Sequence, residues 1–155
     1  CQRYLSGAGY NEVVVTWTDP ETGVVCKMRL DSLRSVSGGG LGLVDVKTAA
    51  CAESGAFSAA ANRFDYFVKA GFYMHGMTVI RHRPDVFAWV VVEKDPPYLS
   101  AAYPISDMAL AQGESEAREL LARYAKCKAA NDWPGYPEEE ISHPKWSRRS
   151  EFYHW

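Results

Sequence analysis

No stretch of this 155-residue sequence approaches the roughly 20 consecutive apolar residues that cross a bilayer, so no membrane-spanning helix is expected. Nothing in it resembles a signal peptide. The four cysteines, Cys1, Cys26, Cys51 and Cys127, are spread too widely for a CxxC zinc or iron–sulfur signature. They read as reduced thiols, which places the protein in the cytoplasm. His75, His82, His143 and His154 show no zinc-ligand spacing and read as surface or capping histidines. There is no internal repeat. Basic charge is not in excess either: 17 Lys and Arg stand against 19 Asp and Glu, a formal charge of -2. A protein that coats nucleic acid carries a broad basic footprint, so any nucleic-acid contact here must be local.

What is present suffices for one domain. With 47% hydrophobic and 23% charged residues, a chain of this length buries a substantial core. The first third reads as a β-meander. Glu12 to Trp17 is β-branched and aromatic, Asp19-Pro20-Glu21-Thr22-Gly23 is turn chemistry, and Val24 to Asp31 resumes a strand. On that second arm Cys26, Met28 and Leu30 alternate with Lys27, Arg29 and Asp31, which puts Asp31 at the strand's end on its polar face. A Ser37-Gly38-Gly39-Gly40 turn leads into a third strand, Leu41 to Thr48.

The pattern then becomes helical. From Glu53 to about His75, Phe57, Phe64, Phe67, Val68, Phe72 and Tyr73 recur mostly at three- and four-residue intervals, and these aromatic residues read as core. Val79-Ile80, Val86 to Glu93 and Tyr98 to Tyr103 read as further strands, with Pro96-Pro97 between the last two. An amphipathic helix from about Ser106 to Ala130 follows, its buried stripe marked by Ala117, Leu120, Leu121, Tyr124 and Cys127. The predicted order is β-β-β-α-β-β-β-α, with residues 131–155 as a tail that wraps over the domain or a neighbour.

Within the third strand, Asp45 and Lys47 stand two residues apart and project to one side, while Val44 and Val46 pack to the other. The spacing alone proves little. With 19 acidic residues and 7 lysines in 155 positions, an acid two residues before a lysine arises by chance about 0.9 times. The setting adds weight, because Asp31 lies on the adjacent strand across a flexible link. Two aspartates brought together supply hard oxygen ligands for Mg²⁺, which can neutralise a phosphate and generate hydroxide near pH 7. Asp31 and Asp45, with the backbone carbonyl of Val46, are the candidate ligands, and Mn²⁺ is an acceptable substitute. Lys47 would orient or deprotonate the attacking water, or stabilise charge developing on the phosphorane oxygens. Without metal the aspartates repel each other, and Lys47 offsets only part of that.

The run Asn11 to Trp17, the turn Asp19 to Gly23, then Cys26-Lys27-Met28-Arg29-Leu30-Asp31 and Val44-Asp45-Val46-Lys47-Thr48 resembles the nuclease domain of RecE-type exonucleases, within the PD-(D/E)XK superfamily. Tyr66-Phe67-Val68 with Phe72-Tyr73 is similar to that family's helix after the motif, and Asp132-Trp133-Pro134 and Pro144-Lys145-Trp146 to its C-terminal signature. The resemblance implies an α/β fold with a mixed central sheet flanked by helices, residues 1–155 forming a single nuclease domain that lacks an upstream helical segment. It implies a Mg²⁺-dependent exonuclease that degrades double-stranded DNA from 5′ ends and leaves 3′ single strands for an annealing protein. It also implies a homo-oligomeric ring and the cytoplasm of a bacterial or phage-infected cell.

Three departures accompany the resemblance. Family members use a further ligand, a histidine on a helix before the first strand, and the given sequence starts after that point. Where the helix after the motif usually carries glutamine, this chain has Lys69, and Leu30 replaces the proline that often precedes the first aspartate. Glu12, Tyr66 and Lys69 are further candidates. Glu12 is favoured in a structural role, holding a lysine or a backbone amide. Lys69 reads either as a DNA-phosphate contact or as a surface substitution. A RecB-like nuclease with an iron–sulfur cluster is disfavoured by the cysteine spacing. The alternative from a different class is a nuclease-fold module that binds DNA or a partner without cutting.

Overall fold

The computed structural model describes residues 1–36 and 39–142. A short helix α1 (Gln2–Leu5) precedes three strands, β1 (Gly9–Thr18), β2 (Val25–Val36) and β3 (Gly40–Ala49). Two helices follow, α2 (Ser54–Arg63) and α3 (Tyr66–Val79), then β4 (Val86–Glu93), β5 (Ser100–Pro104) and the long α4 (Asp107–Ala130). The strands form one mixed sheet in the order β1-β2-β3-β4-β5. Its central pair, β3 and β4, is parallel, and its other pairs are antiparallel. A parallel pair needs a crossover, and α2 with α3 supplies it.

The β1–β2 hairpin closes as its turn residues direct. The Asp19 carboxylate accepts from the Thr22 amide at 2.9 Å and the Thr22 hydroxyl at 2.7 Å, and Gly23 takes the left-handed φ of 69° that the turn requires. β2 runs past Asp31 to Val36, so Asp31 lies inside the strand and not at its end. Alternation also changes phase there. Cys26, Met28 and Leu30 enter the main core, but beyond Asp31 it is Leu33 that packs on the same core. On the facing strand the β1–β2 register passes from Asn11 to Val13 without pairing Glu12, whose φ is 54°.

The helical region departs from the sequence expectation in two places. The single helix expected from Glu53 to His75 is two, because Asp65 adopts a left-handed φ of 52°. Aspartate tolerates that conformation better than most residues, and the break turns the chain between α2 and α3. Val79 and Ile80 are not a strand. They finish α3, where the Ile80 amide donates to the Gly76 carbonyl at 3.1 Å. Two apolar residues are too few to stand as a strand when the helical stripe of Met74 and Met77 already buries the same face.

The main core lies between one sheet face and the helices, with Trp17, Met28, Leu30, Leu43, Phe87 and Trp89 packed among Phe57, Met74, Met77 and Leu110. A smaller cluster on the other face joins Val44, Ala88 and Val90 to Tyr4 of α1. Val46 does not join it and stays 44% exposed. Helices α3 and α4 cross at Gly71 and Gly113, where a Cβ on either glycine would overlap the backbone of the other helix.

Helix α4 keeps its expected bounds and its Ser106 cap, whose hydroxyl accepts from the Ala109 amide. Its stripe is buried only in the first half: Leu110, Gly113 and Ala117 are covered, whereas Leu120 and Tyr124 are exposed. The tail packs through Trp133 on Tyr124, and Tyr136 and Ile141 beyond it are exposed, so the described part does not wrap the domain. Ser37, Gly38, His143, His154 and the Pro144-Lys145-Trp146 segment lie outside the described residues.

Candidate active site

The β2–β3 ladder ends at the pair Ser32 and Val44. One residue further along each strand stand Asp31 and Asp45, the two aspartates that the sequence singled out. Asp31 replaces the missing backbone partner: its Oδ2 accepts the Val46 amide at 2.8 Å. In extended backbone the N–H and C=O of one residue face the same edge, so the Val46 carbonyl lies on Asp31's side of β3.

Asp45 is buried, 1% exposed, and both of its oxygens are engaged. The Lys47 ammonium donates to Oδ2, and the Lys69 ammonium, from α3, donates to Oδ1 at 2.6 Å. The two lysines differ in access. The Lys47 side chain is 12% exposed and Lys69 37%. Burial holds the Lys47 ammonium below the ordinary lysine range; Asp45 opposes that shift and the neighbouring Lys69 reinforces it. Burial also pulls on Lys69, but its hydrogen bond and charge attraction to Asp45 outweigh the penalty and leave it above the ordinary range.

Two tyrosines flank the pair. The Lys47 ammonium lies 4.8 Å from the centre of the Tyr66 ring, and the Lys69 ammonium 5.0 Å from that of Tyr73. Tyr66, Lys69 and Tyr73 stand at the three- and four-residue spacings that share one face of a helix, which is how α3 presents all three. That spacing is readable in the sequence, and Tyr73 packs on the main core as expected while its ring also flanks Lys69. Lys69 is not a mere surface substitution: its ammonium is a member of the cluster, bonded to Asp45.

Glu12 is not in the cluster. Its carboxylate pairs with the Arg29 guanidinium at 3.0 Å on an exposed face, so it holds an arginine and not a lysine or backbone amide. Phe64, read as core, is 56% exposed next to Tyr66. His75 is neither a surface nor a capping group, since its Nε2 lies 2.7 Å from Oδ1 of the buried Asp19. Burial tends to raise the Asp19 carboxyl, but its bonds from His75 and Thr22 together hold it below its usual range.

The donor set suits a small hard cation. Asp31, Asp45 and the Val46 carbonyl are all oxygen ligands, and Mg²⁺ is commonly held by one or two carboxylates with water completing its shell. Among the described residues no third His, Cys, Asp or Glu joins the two aspartates. No helix among the described residues is long and apolar enough to cross a membrane.

A family model described as a PDDEXK-like domain of unknown function (DUF3799) matches residues 1–142. A crystal structure of a "Putative exonuclease" from Eubacterium rectale superposes with a TM-score of 0.62 at 13% identity, covering 91% of this chain and 57% of that one. This chain therefore spans little more than half the length of that protein. A second solved structure, SSO0001, gives a TM-score of 0.42 at 14% identity over 72% of this chain and 50% of that chain. No curated protein matches the sequence. The mixed sheet with flanking helices expected from the sequence is the architecture observed.

Proposed function

This chain belongs to the DUF3799 family of PDDEXK-like domains, and from that premise we propose that it is a Mg²⁺-dependent DNA exonuclease of RecE type. The observation that carries the reading is the buried Asp45 carboxylate, held by Lys47 and set beside Asp31 where the β2–β3 ladder ends. In this reading Asp31, Asp45 and the Val46 carbonyl hold Mg²⁺, with Mn²⁺ as a substitute. The bound cation would neutralise phosphate charge, lower the pKa of a water and stabilise the departing alkoxide.

The chain's own residues supply orientation. Lys47 is pinned between Asp45 and the Tyr66 ring, which directs its ammonium to a fixed point where it can orient the attacking water or meet charge on the phosphorane oxygens. Asp31, tied to the Val46 amide, holds its own carboxylate and the Val46 carbonyl on one edge. Digestion from 5′ ends of duplex DNA, a ring of identical chains and a single-strand annealing partner complete the proposal, and rest on the sequence resemblance to the RecE type.

One observation favours the second reading, a module that binds DNA or a partner without cutting it. Two ammonium groups converge on Asp45, and with Asp31 beside it the formal charges of the four side chains cancel. Retention of Asp31, Asp45 and Lys47 is then not by itself a sign of metal use, because Lys69 supplies the charge that Lys47 alone could not.

Linear duplex DNA labelled separately at its 5′ and 3′ ends, incubated with Mg²⁺, Ca²⁺ or chelator, separates the two. Release from the 5′ label that needs Mg²⁺ and vanishes in Asp45→Asn supports the exonuclease. Binding of the duplex with no release under any condition supports the second reading.

A further inference from the structure

Both Asp45 oxygens accept from lysine ammonium groups, so a cation that uses this carboxylate must displace one of them. The two ammonium groups are not equally free to leave. Lys47 sits on the same strand as Asp45, is 12% exposed, and lies over Tyr66. Lys69 comes from the crossover helix and is three times as exposed, at 37% against 12%. A lysine stem has four rotatable bonds and can withdraw its charge without moving the backbone.

Charge fixes the direction of the effect. With Lys69 on Oδ1 the cluster of Asp31, Asp45, Lys47 and Lys69 carries no net charge, and a neutral, half-buried cluster attracts a dication weakly. With Lys69 neutralised the same cluster carries one negative charge and leaves Oδ1 unpaired, which favours cation binding. We propose that Lys69 is an internal competitor for the divalent cation: its ammonium satisfies Asp45 in the metal-free protein and must leave Oδ1 before metal is held there. The inference rests on the metal-site reading given above. It makes Lys69 a positioning residue that sets the metal threshold of the site.

Calorimetric titration of the full chain with Mn²⁺ alone, at one pH and without DNA, tests this. Wild type, Lys69→Gln, Lys69→Met and Lys69→Arg are compared, each first checked for a cooperative melt. Lys69→Gln and Lys69→Met should bind Mn²⁺ at least about tenfold more tightly than wild type, within the range of ordinary coupling between sites. Lys69→Arg, which keeps the charge, should return the affinity toward wild type. Equal affinities across the series, or no binding by any of them, overturn the proposal. Parallel digestion of labelled duplex in Mg²⁺ keeps the two claims apart. Tighter Mn²⁺ binding in the neutral variants with no cleavage by wild type upholds the competitor and defeats the exonuclease. Equal affinities with Mg²⁺-dependent cleavage by wild type do the reverse.

Discussion

The carboxylate of Asp31 accepts the amide of Val46 at 2.8 Å, doing for β3 what a backbone carbonyl of β2 does one step earlier in the ladder. The same side chain thus has a structural bond and a proposed ligand role, and the two can be separated. Asp31→Asn keeps an oxygen that accepts the Val46 amide but loses the charge. Its stability should stay within about 1 kcal/mol of wild type, the net worth of one such bond. Mg²⁺-dependent cleavage should fall by about 10²-fold or more. Urea unfolding beside a rate assay checks both, and an active Asp31→Asn would remove Asp31 from the metal site.

Asp45→Ala should do more than silence the site. It removes the carboxylate on which two ammonium groups converge and leaves Lys47 largely buried without its partner. Breaking such a pair costs about 3–5 kcal/mol when both members are buried, and the partial exposure of Lys69 reduces this to roughly 2–4. The sequence alone suggests the opposite sign, relief of repulsion between aspartates, because Lys69 is not visible there as a partner. Adding Lys47→Met to Asp45→Ala should recover part of the loss, and a double-mutant cycle in urea measures how much.

Stability below pH 4 should report on Asp19. Its carboxyl lies below the usual aspartate value of 3.8 in the folded protein. A depressed folded pKa contributes stability that is fully present above the unfolded value and disappears as pH falls through the folded one. Acid unfolding of wild type should therefore steepen below about pH 4. Asp19→Ala should lose about 2–3 kcal/mol at neutral pH, where His75 and Thr22 lose a buried partner, and should show a shallower acid limb. An unchanged acid limb would mean that other carboxylates dominate it.

Gly71→Ala should be among the most disruptive single-methyl changes in the chain. The added Cβ meets the backbone of Gly113 and Glu114, which cannot rotate away as a side chain can. Overpacking of this kind costs about 3 kcal/mol and separates α3 from α4. A fall in the thermal midpoint of many degrees checks it, and a wild-type melt would show that the crossing relaxes freely.

How much of this could be read beforehand depended on the range of the interaction. β4 has the bounds expected of it, Val86–Glu93, because burial on both faces leaves a continuous apolar run. The hairpin at Asp19 to Gly23 was equally plain, since Thr22 and Gly23 act within the turn itself. The left-handed Asp65 that splits the helix was not, because nothing local forbids a continuous helix through Phe64 to Phe67. The site divides the same way. Asp45 and Lys47 share a strand and were visible as a pair, while the bond from Lys69 joins a helix to a strand through the crossover and follows no short spacing. The apolar stripe expected of α4 is only partly right: Ala117 is buried and Leu121 packs on the core, but Leu120 and Tyr124 stay exposed and the buried contacts lie earlier in the helix, at Leu110 and Gly113.

The parallel pairing of β3 with β4 also sets a timetable. Asp45 lies opposite Trp89, and the chain between them must first form α2 and α3. Loop closure of this span precedes any reward from the pairing, so the central sheet is a late event in folding compared with the β1–β2 hairpin. Lys69 rides on the segment that makes the closure. The hairpin can therefore form early with Asp31 already in place and β3 brings Lys47 with Asp45, but the second ammonium on Asp45 arrives only when α3 packs on the sheet.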